Sequence, residues 1–382
     1  MDALDRAQSL IADYTAVTRS ELPAGAVLFD AHTHLGQDID GMVGDFDQLS
    51  GLLRHHGFSG AFTFCLNEPD REPDFSVAND RSLEAAERSN GLLIPFVRLD
   101  LGGDPVNEAI RCLDRGAGGI KLHPRAQSFS VGDDRLAPIF ALAVERDVPI
   151  LVHGGRGLPP IAQDLAALVE RHQGVRLIVA HAGIADMAAL AGRLAGVPGV
   201  YFDTSVWSGI DLLDLFHQVA PEQVVYASDY PYGRQPNSLL LTIRTARVSG
   251  FDDDVLRQVL GGSALDIVNR RPLPTLGSPR GSAIFTQPLP FARIHHYLAM
   301  TTPLFWLAQG DVLGALGLAI NASMERDGFP GESAQIHELL ATAQEVWTGA
   351  QEIEEAVEKR RVTRVALGLV HLADMLAVTT RA

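Results

Sequence analysis

Between about residue 26 and residue 249 the chain alternates, eight times over, between a short apolar run and a longer amphipathic stretch. No other feature restricts the fold as much. The runs fall at 26–31, 59–65, 92–97, 118–122, 148–153, 175–181, 199–203 and 223–228. Each is rich in β-branched residues or leucine and is soon followed by Gly or Pro, as expected of buried parallel strands whose C-terminal ends open into loops. The intervening stretches, near 45–56, 78–89, 105–115, 134–146, 160–172, 184–195, 209–219 and 237–249, have helical periodicity. Eight strand–helix units in this length predict an α/β fold, a closed (β/α)8 TIM barrel. No GxGxxG or GxxxxGK[ST] follows the first run, so a nucleotide-binding open sheet is not indicated.

The flanks divide the chain further. A helix is expected within 1–24 and the barrel over 25–270, closed by a helix from Asp252 to Val268. Seven Pro and Gly residues between Pro272 and Pro290 mark 271–290 as a linker. Residues 291–382 then read as an all-helical extension of three or four helices, with the apolar stretch Pro303 to Ile320 as one buried helix. An apolar stripe of Ile353, Val357, Val365, Leu369, Leu372 and Leu376 lies opposite a charged face, which predicts packing against the barrel or between subunits of a homo-oligomer such as a dimer. The net charge of -16 argues against nucleic acid and anionic membranes as partners. Two cysteines imply no disulfide framework, and Met1 to Asp5 shows no secretory signal, so a cytoplasmic protein is expected.

Metal-seeking residues stand at the ends of several of the runs. His32 and His34 bracket Thr33 at the end of the first, and alternation along a strand puts both imidazoles on one face. His153, His181 and Asp229 follow later runs. Taken singly, each is as well explained as a core residue satisfied by backbone. At the C-terminal face of a barrel, where the active sites of that fold are built, they would converge.

The ordered series Asp30-Ala-His32-Thr-His34, Gly119-Ile-Lys121-Leu-His123-Pro124, Val152-His153-Gly-Gly, Ala180-His181-Ala-Gly and Ala227-Ser-Asp229-Tyr-Pro231 resembles the amidohydrolase superfamily, and within it the amidohydrolase 2 branch of metal-dependent barrel hydrolases and decarboxylases. The closing Val259-Leu-Gly-Gly-Ser-Ala-Leu is similar too, with Ser263 where Asn is usual. The resemblance covers residues 26–270. It implies one divalent ion, Zn²⁺, on His32, His34, His153 and Asp229, with Asp229 as general base and His181 orienting water or donating a proton. In binuclear relatives a carbamylated lysine matching Lys121 and the histidine matching His181 would hold a second ion; one ion is the expectation here.

Substrate contacts are expected from the loops after the strands, at Asn67, Arg98, Arg125, Arg156, Trp207 and Tyr230, with the arginines suited to an anionic small molecule. The expected activity is hydrolysis of an amide, ester or lactone-like bond by metal-activated water. The alternative is non-oxidative decarboxylation or hydration of a small cyclic or aromatic acid on the same scaffold.

Overall fold

The structure is a computed structural model and describes residues 2–282, 284–307, 309–325 and 328–381. Nine strands form one sheet: β1 (Leu28–Gln37), β2 (Val43–Gly44), β3 (Phe58–Cys65), β4 (Leu93–Arg98), β5 (Gly119–Leu122), β6 (Ile150–Val152), β7 (Leu177–Val179), β8 (Val200–Asp203) and β9 (Val224–Val225). Their order is β2-β1-β3-β4-β5-β6-β7-β8-β9. Among the described residues only the β1–β2 ribbon is antiparallel, and β2, at two residues, is too short to leave a periodic signal.

The sheet curls without closing into a ladder. The ladder stops at Val225, and the next residues take an irregular path that no further strand register can continue. Isolated bonds cross the seam to β1: Ala31 N–H donates to Tyr226 O at 2.9 Å, Asp229 N–H to His32 O at 2.9 Å, and His34 N–H to Tyr230 O at 2.7 Å. The closed barrel expected from the alternation is therefore corrected to a curled parallel sheet, a half-barrel.

Helices cover the outside as the periodicity predicts: α1 (Ala3–Glu21), α2 (Phe46–His56), α3 (Ser76–Arg88), α4 (Pro105–Asp114), α5 (Leu136–Arg146), α6 (Ala162–Arg171), α7 (Met187–Leu194), α8 (Gly209–Gln218) and α9 (Asn237–Val248). Alternation along the strands then sorts the core into two parts. Phe62, Phe64, Phe96, Leu151, Ile178 and Tyr201 fill the inside of the curl with Ala264 and Ile267, while Val97, Ile120, Ile150 and Val152 face the helices.

Strand β1 departs from simple alternation, and that departure builds the site. Asp30 pairs with Ala61 but Thr33 with Thr63, so β1 carries one extra residue between these rungs. The bulge flips the parity of the residues beyond it. Phe29 and Ala31 face inward before the bulge; after it His34 lies level with Phe64, whose ring is 4.5 Å away, and His32 and His34 both face inward.

The closing segment is α10 (Asp253–Arg257), one π turn at Gln258–Gly262, and α11 (Ser263–Val268). The wide turn brings Gly261 against the start of β1. A Cβ there would stand 2.1 Å from the Val27 carbonyl oxygen, against backbone that has little room to move. Gly261→Ala is expected to destabilise the chain by at least about 1–3 kcal/mol, the usual cost of overpacking. Urea unfolding of the variant, with an unchanged midpoint as the contrary result, checks this.

Four helices come next: α12 (Leu289–Trp306), α13 (Val312–Ser323), α14 (Pro330–Ala350) and α15 (Ala356–Thr379). The single helix expected over Pro303 to Ile320 is two, because Gln309-Gly310-Asp311 interrupts it with a poor helix former. Helix α15 packs on α1, α8 and α9 as well as on α12 and α14. Leu369, Leu372 and Leu376 are buried as the stripe predicts, whereas Val357 is 74% exposed because the buried face begins at Val362. Gly209, the first residue of α8, admits α15 closely: a Cβ there would be 2.9 Å from Val378 Cγ1.

His371 of α15 lies under this contact, its Nε2 buried without a partner among the described residues. Burial lowers its pKa from 6.5 to about 4. The unfolded chain therefore takes up a proton near pH 6.5 that the folded chain refuses until about pH 4. The stability this neutral ring permits is complete above pH 6.5 and is lost as pH falls through that window. Between pH 7 and pH 5 the loss is at most about 2 kcal/mol. His371→Gln should flatten that part of the pH–stability curve, and parallel curves for the two proteins would refute the assignment.

Candidate metal centre

The inward residues at the C-terminal ends of the strands meet in one buried cluster. His32 Nε2 and His34 Nε2 are 3.1 Å apart, and Asp229 Oδ1 lies 3.3 Å from the first and 3.2 Å from the second. A tetrahedral ion with ligands at about 2.0–2.1 Å sets its ligand atoms about 3.3 Å apart, so the spacing fits. These three are brought within reach of one ion by side chains that are nearly inaccessible to solvent.

The hydrogen bonds fix which nitrogens are free. Asp203, at the end of β8 and fully buried, accepts from His32 Nδ1 at 2.8 Å through Oδ2. A carboxylate there keeps the proton on Nδ1 and turns the lone pair of Nε2 into the cluster. Its other oxygen accepts from the backbone N–H of His181 at 2.7 Å and of Ser205 at 3.0 Å, and from the Ser205 hydroxyl at 2.6 Å. Electron pairs on His32 and Asp229 thus face one another, and a cation between them and His34 would satisfy all three. Asp203 is not among the sequence candidates. Its signal is available there, since it ends an apolar run as His153 does.

His153 is set to one side. His181 Nδ1 donates to the Ser205 carbonyl at 2.9 Å, which leaves its Nε2 to accept from His153 Nδ1 at 3.1 Å. The remaining nitrogen of His153, Nε2, is buried and without a partner among the described residues. Its ring stacks on His123, with centroids 3.8 Å apart. The His153 and His181 rings pass close to Gly155, where a Cβ would be 2.8 Å from His153 Cε1 and 3.0 Å from His181 Cδ2. Three of the four anticipated ligands converge, and His153 joins them through His181, whose ring centroid is 5.1 Å from that of His32.

Two of these residues occupy backbone conformations that side chains disfavour. His181 has φ of 57° and Asp229 φ of 60°. Such strain persists only where the surroundings impose it, and it gathers at functional sites.

Burial dominates the electrostatics. It holds His32, His34 and His153 well below the ordinary histidine range, so each imidazole is neutral. It pushes Asp229 up, an effect partly offset by Lys121. The same burial, with Arg98 adding to it, lowers Lys121 to about 7. Lys121 and Arg98 are register partners on β5 and β4 and so share the inner face. Lys121 Nζ lies over the Phe64 ring at 4.5 Å with no hydrogen-bond partner among the described residues. Arg98 donates from Nη1 to Cys65 O at 3.2 Å, but Nη2 is buried and unpartnered among those residues. Two buried cations therefore keep donors unmade beside the cluster, at a cost that a matching anion would remove.

The remaining candidates divide. Asn67 is buried, with an unpartnered Oδ1. Arg125 and Arg156 are exposed, and Arg156 reaches Asp211 at 3.4 Å. Tyr230 is buried away from the cluster, its hydroxyl donating to Asp45 O at 3.3 Å. Tyr232 stands closer, its ring 5.8 Å from His34, and Trp207 lies farther out along the same wall.

A curled parallel sheet carrying a His-His-Asp cluster at its strand ends defines a metal-dependent α/β enzyme. The sequence pattern of the amidohydrolase family matches residues 29–270, and the chain belongs to that family. No curated protein sequence matches it. Among solved structures, the IDCase of Metarhizium anisopliae in apo form is similar at a TM-score of 0.52 and 13% identity, over 65% of this chain and 98% of that one. The 5-carboxyvanillate decarboxylase LigW of Sphingomonas paucimobilis is similar at 0.50 and 13%, over 64% and 99%. The dihydroxybenzoic acid decarboxylase of Polaromonas sp. JS666, with bound manganese and the inhibitor 2-nitroresorcinol, is similar at 0.50 and 14%, over 65% and 98%. At these identities the likeness is one of fold.

Proposed function

We propose that this chain is a metal-dependent hydrolase of a small anionic molecule. The observation that carries the reading is the convergence of His32 Nε2, His34 Nε2 and Asp229 Oδ1 beside two buried cations with free donors. His32, His34 and Asp229 would hold one divalent ion, Zn²⁺ by the chemistry of neutral imidazoles and a carboxylate, with the fourth position open to water. Such an ion, when bound, brings the acidity of water towards neutral pH and polarises a substrate carbonyl.

The chain's own groups do the rest. Arg98 and Lys121 would pair with the anionic end of the substrate and fix its direction. Asp229, its carboxyl raised by burial, would accept the proton of the attacking water and deliver it to the leaving group. His181, oriented by Ser205 and Asp203, would hold that water in line. The near-complete burial of the cluster excludes other water.

A second reading uses the same groups for decarboxylation of a cyclic acid. The unpartnered donors of Arg98 and Lys121 favour a carboxylate at the reacting end, and the proton that His153 Nδ1 holds against His181 Nε2 would pass through His181 to the carbon that carbon dioxide leaves. Assay of the zinc-loaded protein on a panel of lactones, amides and cyclic acids in ¹⁸O-water separates the two: label in the organic product supports hydrolysis, and release of carbon dioxide with no label in the organic product supports the lyase. Absence of a stoichiometric divalent ion after reconstitution would sink both.

A further inference from the structure

The family match ends at residue 270, yet the helices beyond it reach the metal centre's outer wall. Tyr232, in the loop after β9, lies 5.8 Å from His34 by ring centroids. Trp306, the last residue of α12, lies 6.0 Å from Tyr232 and 5.1 Å from Trp207. His371 of α15 closes the row, 5.4 Å from Trp207. The rings are tilted by 34° to 49° between Tyr232 and His371, so they form a continuous wall leading outward from a candidate ligand. Two of its four members come from barrel loops and two from the extension.

Other bonds hold the extension in this place. Arg360 donates to the Gly41 carbonyl at 2.9 Å and Asn237 Nδ2 to the Gly368 carbonyl at 2.7 Å, while His295 of α12 pairs with Asp374 of α15 at 2.7 Å within the extension. Trp306 stays 37% exposed while its ring touches Trp207 and Tyr232, which leaves aromatic surface open beside the barrel loops. Trp347, the third tryptophan, is fully packed against Phe305 and marks the contrast.

We propose that the C-terminal extension is part of the substrate pocket, and that Trp306, with Trp207 and Tyr232, stacks on a planar ring carried by the substrate. The inference rests on the metal-dependent reading above for the position of the substrate's anionic end. From that end, at Arg98 and Lys121, the ring would extend past His34 to the aromatic wall. A planar, unsaturated ring meets the tilted faces with favourable quadrupole geometry, which a saturated ring of the same size does not. Trp306 contributes specificity and takes no part in the chemistry.

The test uses the full zinc-loaded chain and calorimetric titration with naphthalene-2-carboxylate and with saturated decahydronaphthalene-2-carboxylate. Wild type should bind the planar acid at least threefold more tightly. Trp306→Ala should weaken the planar acid about three- to tenfold and the saturated one by less, so that the preference narrows, while Trp306→Phe should retain most of the preference. Zinc content and thermal unfolding of each variant show that fold and metal centre are intact. Equal or absent binding of the two acids to wild type, or an unchanged preference in Trp306→Ala, overturns the proposal while zinc binding stands. Loss of zinc from wild type itself would instead overturn the metal-dependent reading.

Discussion

Asp229→Asn should leave the chain folded but empty its centre of metal and of activity. The change removes the one negative charge among the three converging atoms, and with it a proton acceptor. A general base alone is worth about 10²–10⁴-fold in rate, and the loss of the ion adds to that. Turnover should therefore fall by at least about 10⁴-fold, the upper end of the base contribution. Metal analysis after dialysis should find less than a tenth of the wild-type stoichiometry. His32→Ala should match it in metal content. A variant of either kind that keeps both its ion and its turnover would show that the converging atoms are a structural knot.

The second large effect is expected at the carboxylate behind His32. In Asp203→Asn the volume is kept, but one oxygen becomes an NH₂ group. The site has four donors and no acceptor for that group: His32 Nδ1, the backbone N–H of His181 and of Ser205, and the Ser205 hydroxyl. Three of them already crowd Oδ1, so the NH₂ must face His32 Nδ1. The imidazole then accepts there and carries its proton on Nε2, where the ion should bind. Partners of this kind typically control 10- to 100-fold in metal affinity, and about that loss is expected in competition with a chromophoric chelator. Activity at saturating zinc should recover in part, which it cannot do in Asp229→Asn. An unchanged zinc affinity would mean that Asp203 serves the fold alone.

Much of this molecule is legible in its sequence. The strand and helix positions emerge from periodicity to within a few residues because each unit satisfies its own local pattern, as β4 and α4 illustrate. The convergence of His32, His34 and Asp229 comes from their places at strand ends. Features set by contacts far apart in sequence are not legible in this way. The open seam depends on the irregular path from the end of β9 at Val225 to Asp229 and its bonds back to β1. Asp203 escapes notice because a lone aspartate ending a strand is common, and only its hydrogen bonds to His32 and His181 single it out. Arg125 and Arg156 are attractive by chemical type, but their loops carry them outward, while the buried Arg98 beside Lys121 keeps its donors free.

The extra residue in β1 has a consequence for how such a centre can be gained or lost. Between Asp30 and Thr33 the strand counts one more residue than its neighbour, and that surplus is what turns His32 and His34 inward. Ironing the bulge out with every residue kept would aim both imidazoles at the helices and offer Thr33 and Leu35 to the interior, whereas deleting Ala31 would restore plain alternation with His32 and His34 still inward. The capacity to bind metal is thus stored in an odd-or-even count of peptide units as much as in the side chains. A one-residue slip of β1 against β3 beyond Asp30 is enough to switch it off, and the reverse slip is enough to restore it.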